Sequence, residues 1–125
     1  MLNLMVEHTE ARLSRTFTAL ADQTRRAILA RLRKGSLRVS DIAAPFDMSL
    51  NAVSKHLKLL ERARLVQREV RGREHYCSLD AGPLSEAAEW ASSYREFWER
   101  RLDALEHLLA TRRTARSRKG RQRER

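Results

Sequence analysis

Cysteine is almost absent from this chain, in which Cys77 is the single one among 125 residues. One thiol excludes an internal disulfide framework and a cysteine-rich metal cage, and it is compatible with a reducing, cytoplasmic location. No apolar run approaches the roughly 18 residues that a membrane-spanning helix needs. The first residues also lack the basic start and apolar stretch of a secretory signal. We therefore expect a cytoplasmic protein that does not associate with a membrane.

Glycine and proline are scarce as well, with four and two residues, which leaves room for long helices because both residue types interrupt them. The usual signatures of enzymes are also missing. There is no glycine-rich phosphate loop, and there are no paired carboxylates or Cys/His arrangements at a catalytic spacing. We expect no enzymatic activity and no cofactor. The four histidines fall on four different predicted elements: His8, His56, His75 and His107.

Positive charge is abundant and unevenly distributed. The formal net charge is +10, and residues 112–125 carry +7 of it, with eight Lys and Arg against one Glu. A block of like charges with no apolar face has nothing to bury. The sequence therefore predicts one folded DNA-binding and dimerisation domain over residues 1–111, followed by a disordered basic tail over residues 112–125.

Four helices are predicted in the first half from the spacing of apolar residues. The first covers residues 8–21, and Asp22 is a good N-cap for the second. A short third helix opens at Ser40 or Asp41. Ser49 is a good N-cap for the fourth, whose expected inward residues are Val53, Leu57 and Leu60.

The pattern changes from helical to alternating between residues 65 and 79, on either side of Gly72, which predicts a β-hairpin. A long helical pattern then runs from Leu84 to about Ala110. The expected fold is mainly α with a small β-hairpin, in the order α-α-α-α-β-β-α with a long C-terminal helix. This is a winged helix-turn-helix arrangement. The inward residues of the hairpin are expected to be Val66, Val70, Tyr76 and Leu79.

The outer face of the fourth helix is typical of a helix that reads DNA. A helix-turn-helix unit places its second helix in the major groove, where short polar side chains pair with base edges and lysines bind phosphates. Any surface helix can show these residue types, so the arginines at the tip of the neighbouring hairpin, which can reach the minor groove or phosphates, favour DNA. The predicted DNA-contacting residues are Ser49, Asn51, Ala52, Ser54, Lys55, Lys58, Arg71 and Arg73.

The predicted C-terminal helix is too long for a monomer. Its length from Leu84 to Ala110 is about 40 Å at 1.5 Å per residue, whereas the radius of gyration of such a domain is about 14 Å. Its aromatic residues would stay exposed unless a second copy covered them. A pocket for a small molecule is the alternative, and both can hold. The predicted dimer-interface residues are Leu13, Phe17, Trp90, Tyr94, Phe97, Trp98, Leu102 and Leu105.

Three segments together resemble the arsenic-repressor-type (ArsR) family of bacterial winged helix regulators. They are ALADQTRRAIL (residues 19–29), AAPFDMSLNAVSKHLKLLERARLV (43–66) and RGREHYCSL (71–79). The resemblance extends from about Phe17 to about Leu109 and is to a subgroup without the metal-sensing cysteines. It implies a homodimer that binds successive major grooves of double-stranded DNA and represses its own or a neighbouring operon. It also assigns the fourth helix to base reading and the hairpin arginines to the wing.

The chain departs from the family pattern at three positions. The family often has proline where Gln23 and Asn51 stand, and it usually has glycine where Arg64 stands. A residue other than glycine in a left-handed turn costs roughly 1 kcal/mol. Where metal-sensing members carry paired cysteines, this chain has Arg38 and Ser40, which cannot hold a soft metal.

Three further features have a functional and a structural interpretation. The spacing of Asp103, Glu106 and His107 can chelate a metal, but acids and histidines are common on exposed helices, so we expect no metal site. Cys77 can sense oxidants if arginines stabilise its thiolate, but a lone strand cysteine more often packs in a core. We expect His56 to be half-buried in its helix.

The function predicted from these features is a sequence-specific DNA-binding transcriptional regulator, a repressor by resemblance. Two alternatives belong to other classes. One is a nonspecific nucleic-acid-binding protein that acts through its basic tail. The other is a winged-helix module that binds proteins and does not touch DNA. A small-molecule effector is not predicted from the sequence.

Overall fold

The computed structural model describes residues 2–123, with side chains from residue 5 to residue 117. The chain forms two compact units, Met1–Ala88 and Glu89–Arg125. None of the described helices is long and apolar enough to cross a membrane. The elements are α1 (Leu2–Leu20), α2 (Gln23–Leu32), β1 (Leu37–Arg38), α3 (Val39–Ala43), α4 (Leu50–Arg62), β2 (Val66–Arg71), β3 (Glu74–Leu79), α5 (Gly82–Ser92) and α6 (Arg95–Arg123).

The predicted hairpin is part of a three-stranded antiparallel sheet with the order β1-β3-β2. Strands β2 and β3 pair from Val66 opposite Leu79 to Arg71 opposite Glu74. The two-residue turn between them starts at Gly72, whose φ of +63° is the left-handed conformation that such a turn needs at this position. The short strand β1 was not predicted, because two residues are too few to show an alternating pattern.

The core of the first unit lies between the helices and the sheet, and the inward face predicted for the fourth helix is confirmed. The prediction for the hairpin is wrong at two positions. The two positions are Tyr76 and Val70. Leu79 packs against the core, and Tyr76, three residues away on the same strand, lies on the opposite face. Val70 lies near the hairpin tip and is 59% exposed. The fully buried residues of largest volume are Ile28, Ile42, Leu57, Leu60, Leu65, Val53, Thr16 and Cys77.

The helix starts follow local hydrogen bonds. Asp22 and Ser49 are N-caps as predicted, because their side chains accept hydrogen bonds from the backbone N–H groups of Arg25 and Ala52. The third helix begins at Val39, earlier than the expected Ser40 or Asp41. Asp41 lies in the first turn of this helix, where its carboxylate pairs with Arg38 at 3.0 Å and does not act as the cap.

The single long C-terminal helix is also corrected. Helix α5 ends at Ser92 and α6 begins at Arg95. The hydroxyl of Ser93 donates to the carbonyl oxygen of Trp90 at 2.6 Å, and such a bond competes with the helical ladder and bends or ends a helix. Two helices therefore stand where the sequence predicts one. The predicted class, mainly α with a winged helix-turn-helix, is confirmed.

Helix α6 runs on to Arg123 and so includes most of residues 112–125, for which the sequence predicts a disordered arm. The residues of this segment are mainly Arg, Lys, Gln and Ala, which have high helix propensity. Propensity alone therefore permits a helix where there is no apolar face to bury. Residues 124 and 125 lie outside the described part, and the boundary between a domain over 1–111 and a tail over 112–125 stays a prediction.

One arginine joins three helices of the first unit. The guanidinium of Arg25 donates to the carbonyl oxygens of Thr18 at 2.9 Å and Ala19 at 2.8 Å, and it lies 3.3 Å from Nδ1 of His56. It thereby satisfies carbonyls at the end of α1, where a cation is favourable. The prediction that His56 is half-buried in α4 is confirmed, since its side chain is 24% exposed.

Replacing Arg25 by alanine should lower the free energy of unfolding by about 1–3 kcal/mol, because two helix-end carbonyls and His56 lose their partner. Urea denaturation followed by circular dichroism measures this change. Arg33→Ala is the matched control, since Arg33 is exposed at the C-cap of the same helix. The control should change stability by less than about 0.5 kcal/mol, and an equal loss in both variants would contradict the role of Arg25.

Asp22 beside this arginine has a lowered pKa, chiefly because the backbone N–H of Arg25 donates to its carboxylate. A carboxyl whose pKa is lower in the folded state stabilises the fold above its ordinary pKa of 3.8. That stabilisation is lost as the pH falls through the lowered value. The cap of α2 is therefore fully formed at neutral pH.

Candidate nucleic-acid interface

Helix α4 has one buried and one polar face. Its buried residues are Val53, Leu57 and Leu60, spaced so that they fall on one side of a helix with 3.6 residues per turn. The opposite side is exposed and repeats at intervals of four, three and four residues. We call these exposed residues the α4 stripe: Asn51, Lys55, Lys58 and Arg62.

The N-terminal turn of α4 is less open than the sequence indicated. Ala52 and Ser54 are only partly exposed, and the hydroxyl of Ser49, although exposed, accepts a hydrogen bond from the N–H of Ala52 at 3.1 Å. Ser49 remains accessible as a donor, since that bond uses only an acceptor lone pair.

The exposed side chain of Leu50 was not predicted from the sequence. It is the first residue of α4 and is 56% exposed. The sequence offered no signal for this exposure, because Leu50 lies three residues before Val53 and continues the spacing of Val53, Leu57 and Leu60, which form the apolar side of the helix. A large apolar side chain is thus exposed at the end of the helix that carries the short polar residues.

The hairpin presents two exposed arginines. Arg71 pairs with Glu69 at 3.1 Å and lies 4.7 Å from the centre of the Tyr76 ring. Arg73 makes no ion pair with any residue of the described part of the chain. Arg71 is held against its own strand, whereas the charge of Arg73 is free to meet an anion.

Two ion pairs fix the hairpin to the helix-turn-helix. Arg68 of β2 pairs with Glu61 of α4 at 2.6 Å, and both side chains are mostly covered. Arg38, at the start of α3, pairs with Glu74 of β3 at 3.1 Å. Arg68 therefore braces the wing against α4 and does not join the exposed arginines at its tip.

The face formed by the α4 stripe and the hairpin tip carries net positive charge, since Glu61, Glu69 and Glu74 are each paired with an arginine. Cations of the stripe can neutralise phosphates, and the N-terminus of a helix adds a partial positive charge. Asn51 supplies a side-chain amide that can donate to and accept from a base edge. This combination is the chemistry of a DNA groove.

Comparison with known proteins agrees with this geometry. A family model described as a helix-turn-helix domain matches residues 20–69. The HTH-type transcriptional regulator Rv2034 of Mycobacterium tuberculosis is 40% identical over 95 residues, which are 76% of this chain and 86% of that protein. A crystal structure of an ArsR family transcriptional regulator superposes with a TM-score of 0.68 and 38% identity, covering 72% of this chain and 93% of the other. The chain belongs to the ArsR family.

A second relative of this ArsR family protein is the transcriptional repressor SdpR of Bacillus subtilis, which is 32% identical over 82 residues, 66% of this chain and 91% of that protein. The family assignment confirms the predicted resemblance and the prediction of a DNA-binding transcriptional regulator that is not an enzyme. The dimer and the individual DNA contacts are not tested by these comparisons and stay predictions.

The described side chains of this ArsR family protein form no metal site. Within residues 2–123, no group of three or more His, Cys, Asp or Glu side chains is placed to hold a metal ion. Asp103, Glu106 and His107 follow one another along α6 without forming such a group. Arg38 and Ser40, at the expected cysteine positions, lie at the start of α3, where Arg38 is engaged in ion pairs.

Cys77 is fully buried in the core, as the packing interpretation predicted. Burial raises the pKa of its thiol by removing it from water, and this outweighs the lowering by nearby Arg68. The reactive thiolate is therefore disfavoured. The structure supports packing over oxidant sensing for this residue.

Cys77 should consequently react with a thiol reagent only when the core opens. In Ellman's assay at neutral pH, we expect the native protein to react at least 100-fold more slowly than the protein unfolded in guanidinium chloride. A Cys77→Ser variant controls for background colour. Reaction of the native protein at the unfolded rate would contradict a buried, protonated thiol.

Proposed function

We propose that this ArsR family regulator is a homodimeric repressor that binds double-stranded DNA at specific sequences and controls its own or a neighbouring operon. The observation that carries the proposal is the α4 stripe, a polar and cationic helix face left exposed beside a braced wing. The name of the Bacillus subtilis relative supports repression. Such a regulator acts on the chromosome, so we predict a cytoplasmic location.

Helix α4 enters the major groove in this proposal. Asn51 reads a base through its amide, and Ser49 donates its hydroxyl to a base or phosphate. Lys55 and Lys58 contact phosphates along the groove. Ala52 and Ser54 are partly covered by protein. Because their side chains are small, they let the backbone of α4 approach the DNA closely and make no long side-chain contacts. Arg71 and Arg73 place the wing on the minor groove or its phosphates.

Leu50 adds a chemically different contact. Its exposed side chain is the first of α4 and lies beside Asn51 in the chain. In the major groove the apolar group of a base pair is the methyl of thymine. We therefore expect Leu50 to favour a site with thymine next to the base that Asn51 reads.

The second unit supplies the proposed dimer contact. Its aromatic side chains form edge-to-face pairs, Trp90 with Tyr94 at 5.3 Å and Phe97 with Trp98 at 5.8 Å between ring centres. A continuous exposed apolar surface of this kind is unstable in water and is covered at interfaces. The exposed large apolar residues of this unit are Trp90, Tyr94, Phe97, Trp98, Leu102, Leu105, Leu108 and Leu109.

Two of the predicted interface residues lie on α1. Phe17 is 41% exposed, so its side chain is accessible to a second copy. Leu13 is buried within its own unit, so it packs beneath the surface and does not contact a second copy directly. A second copy related by a two-fold axis would present two α4 helices to the DNA. The half-sites would then lie about 34 Å apart, one turn of the duplex.

Asn51→Ala and Lys55→Ala should affect DNA binding in different ways. Loss of a base contact should cost about 1–3 kcal/mol at the preferred sequence and reduce the preference for it over a scrambled duplex. Loss of a phosphate contact should weaken binding to both duplexes alike and lower the salt slope by about 1. Fluorescence anisotropy at several salt concentrations measures both effects.

The matched control for Lys55→Ala is Lys34→Ala, an exposed lysine in the turn after α2. It should leave affinity and salt slope unchanged. If both α4 variants bound the chain's own upstream DNA as the unmodified protein does, α4 would not be the helix that reads DNA.

The double variant Trp98→Ala, Leu102→Ala should raise the dimer dissociation constant by about 100-fold or more, because truncated interface aromatics cost about 2–4 kcal/mol at buried positions. Sedimentation equilibrium measures this constant. Arg100→Ala is the control, since Arg100 is exposed and its ion pair within the described residues is with Glu96. A monomer at micromolar concentration of the unmodified protein would refute the dimer.

A further inference from the structure

A cleft of about 480 Å³ opens in the first unit between α1, the C-terminal end of α4 and the start of α5. Its volume lies within the range of small-molecule sites. The cleft is separate from the N-terminal turn of α4, where the proposed base contacts lie. Its charged lining residues are Arg12, Arg15, Arg62, Arg64, Asp80 and Glu86.

Both carboxylates of the cleft are already engaged. Asp80 accepts hydrogen bonds from the N–H of Gly82 at 3.0 Å and from the side-chain amide of Gln67 at 3.2 Å. Glu86 pairs with Arg12 at 3.3 Å. The partners of Asp80 are neutral, so it keeps its charge, and the lining carries four arginines against two carboxylates, an excess of two positive charges.

The three other arginines of the cleft have no such partners. Throughout the described part of the chain, nothing forms an ion pair or a side-chain hydrogen bond with Arg15, Arg62 or Arg64. Three guanidinium groups around one cavity repel each other, and the single carboxylate without a cationic partner, Asp80, offsets only part of this repulsion. Guanidinium groups also match carboxylate and phosphate oxygens with two parallel hydrogen bonds.

Arg64 is held in a conformation that its side chain disfavours. Its φ is +60°, and it is the one residue other than glycine with a positive φ among those the structure describes. Glycine would occupy this turn without strain. Strained residues of this kind concentrate at binding and switch sites, where the side chain is needed. The turn lies directly after α4, so whatever contacts Arg62 and Arg64 contacts the end of the DNA-reading helix.

We propose that this cleft binds a small organic anion with at least two negative charges, carried by carboxylate or phosphate groups. The anion lies between Arg15, Arg62 and Arg64 and replaces their mutual repulsion by paired hydrogen bonds. The proposal does not depend on DNA binding, because Arg62, although part of the α4 stripe, is not among the proposed DNA contacts, and neither are Arg15 and Arg64.

Thermal unfolding of the full chain, titrated with citrate and separately with pyrophosphate, tests the proposal. Each titration is compared with sodium chloride at equal ionic strength. A ligand of the folded state raises Tm in a saturable manner, so we expect saturation with one or both anions and no comparable rise with chloride. Citrate and pyrophosphate distinguish a carboxylate from a phosphate ligand.

Arg64→Gly separates binding from folding. Without anion, this variant should unfold a few degrees higher than the unmodified protein, because glycine relieves the strain at this φ. Its affinity for the anion should nevertheless fall by at least tenfold. Arg33→Ala removes an exposed arginine outside the cleft and should keep the anion response unchanged.

Two results of these titrations would overturn the proposal. One is the absence of a saturable rise in Tm with either anion. The other is an equal anion response in Arg64→Gly and the unmodified protein. It would mean that the anion binds elsewhere on the protein as an adventitious additive only. A third measurement separates the cleft from DNA. If Arg64→Gly weakened binding to duplex and lowered its salt slope in the absence of anion, the arginines would contact the DNA backbone, and the small-anion site would be refuted.

Discussion

Burial of one side of α4 is the packing interaction on which the functional surface depends. Val53, Leu57 and Leu60 are fully buried, and their removal from water contributes about 1.5–3 kcal/mol each. Because a helix is rigid, fixing these three side chains also fixes the direction of the opposite face. The α4 stripe is therefore presented to solvent by the core and does not depend on its own polar contacts, so its residues can change without loss of the fold.

The wing is positioned by a different force. Arg68 with Glu61 and Arg38 with Glu74 connect the sheet to α4 and to the start of α3. In each pair an arginine neutralises a glutamate, so this glutamate does not compete with DNA phosphates for the cations of the DNA-facing side. Ion pairs at a protein surface add little stability, but these two direct the hairpin. None of the described residues forms an ion pair with Arg73, which stays a free cation at the tip. Stability and orientation thus come from separate sets of residues in this ArsR family protein.

Features governed by neighbours in the chain could be predicted from the sequence. The caps at Asp22 and Ser49, the buried stripe of α4 and the turn at Gly72 all depend on local spacing. Features governed by residues far away in the sequence could not be predicted. Strand β1 exists because β3 offers an edge to it, and Arg68 is withdrawn from the hairpin tip by Glu61. The break near Ser93 depends on one hydroxyl that competes with the helix ladder, and the arginine cleft unites three segments far apart in sequence.

Methylation interference on the DNA upstream of the chain's own gene tests most directly whether two copies of α4 occupy neighbouring major grooves. Methyl groups at guanine N7 lie in the major groove, whereas those at adenine N3 lie in the minor groove. We predict two clusters of guanine interference centred about 10 base pairs apart, with adenine interference beside them where the wings lie. A single cluster, or binding that methylation of guanine leaves unaffected, would contradict the account.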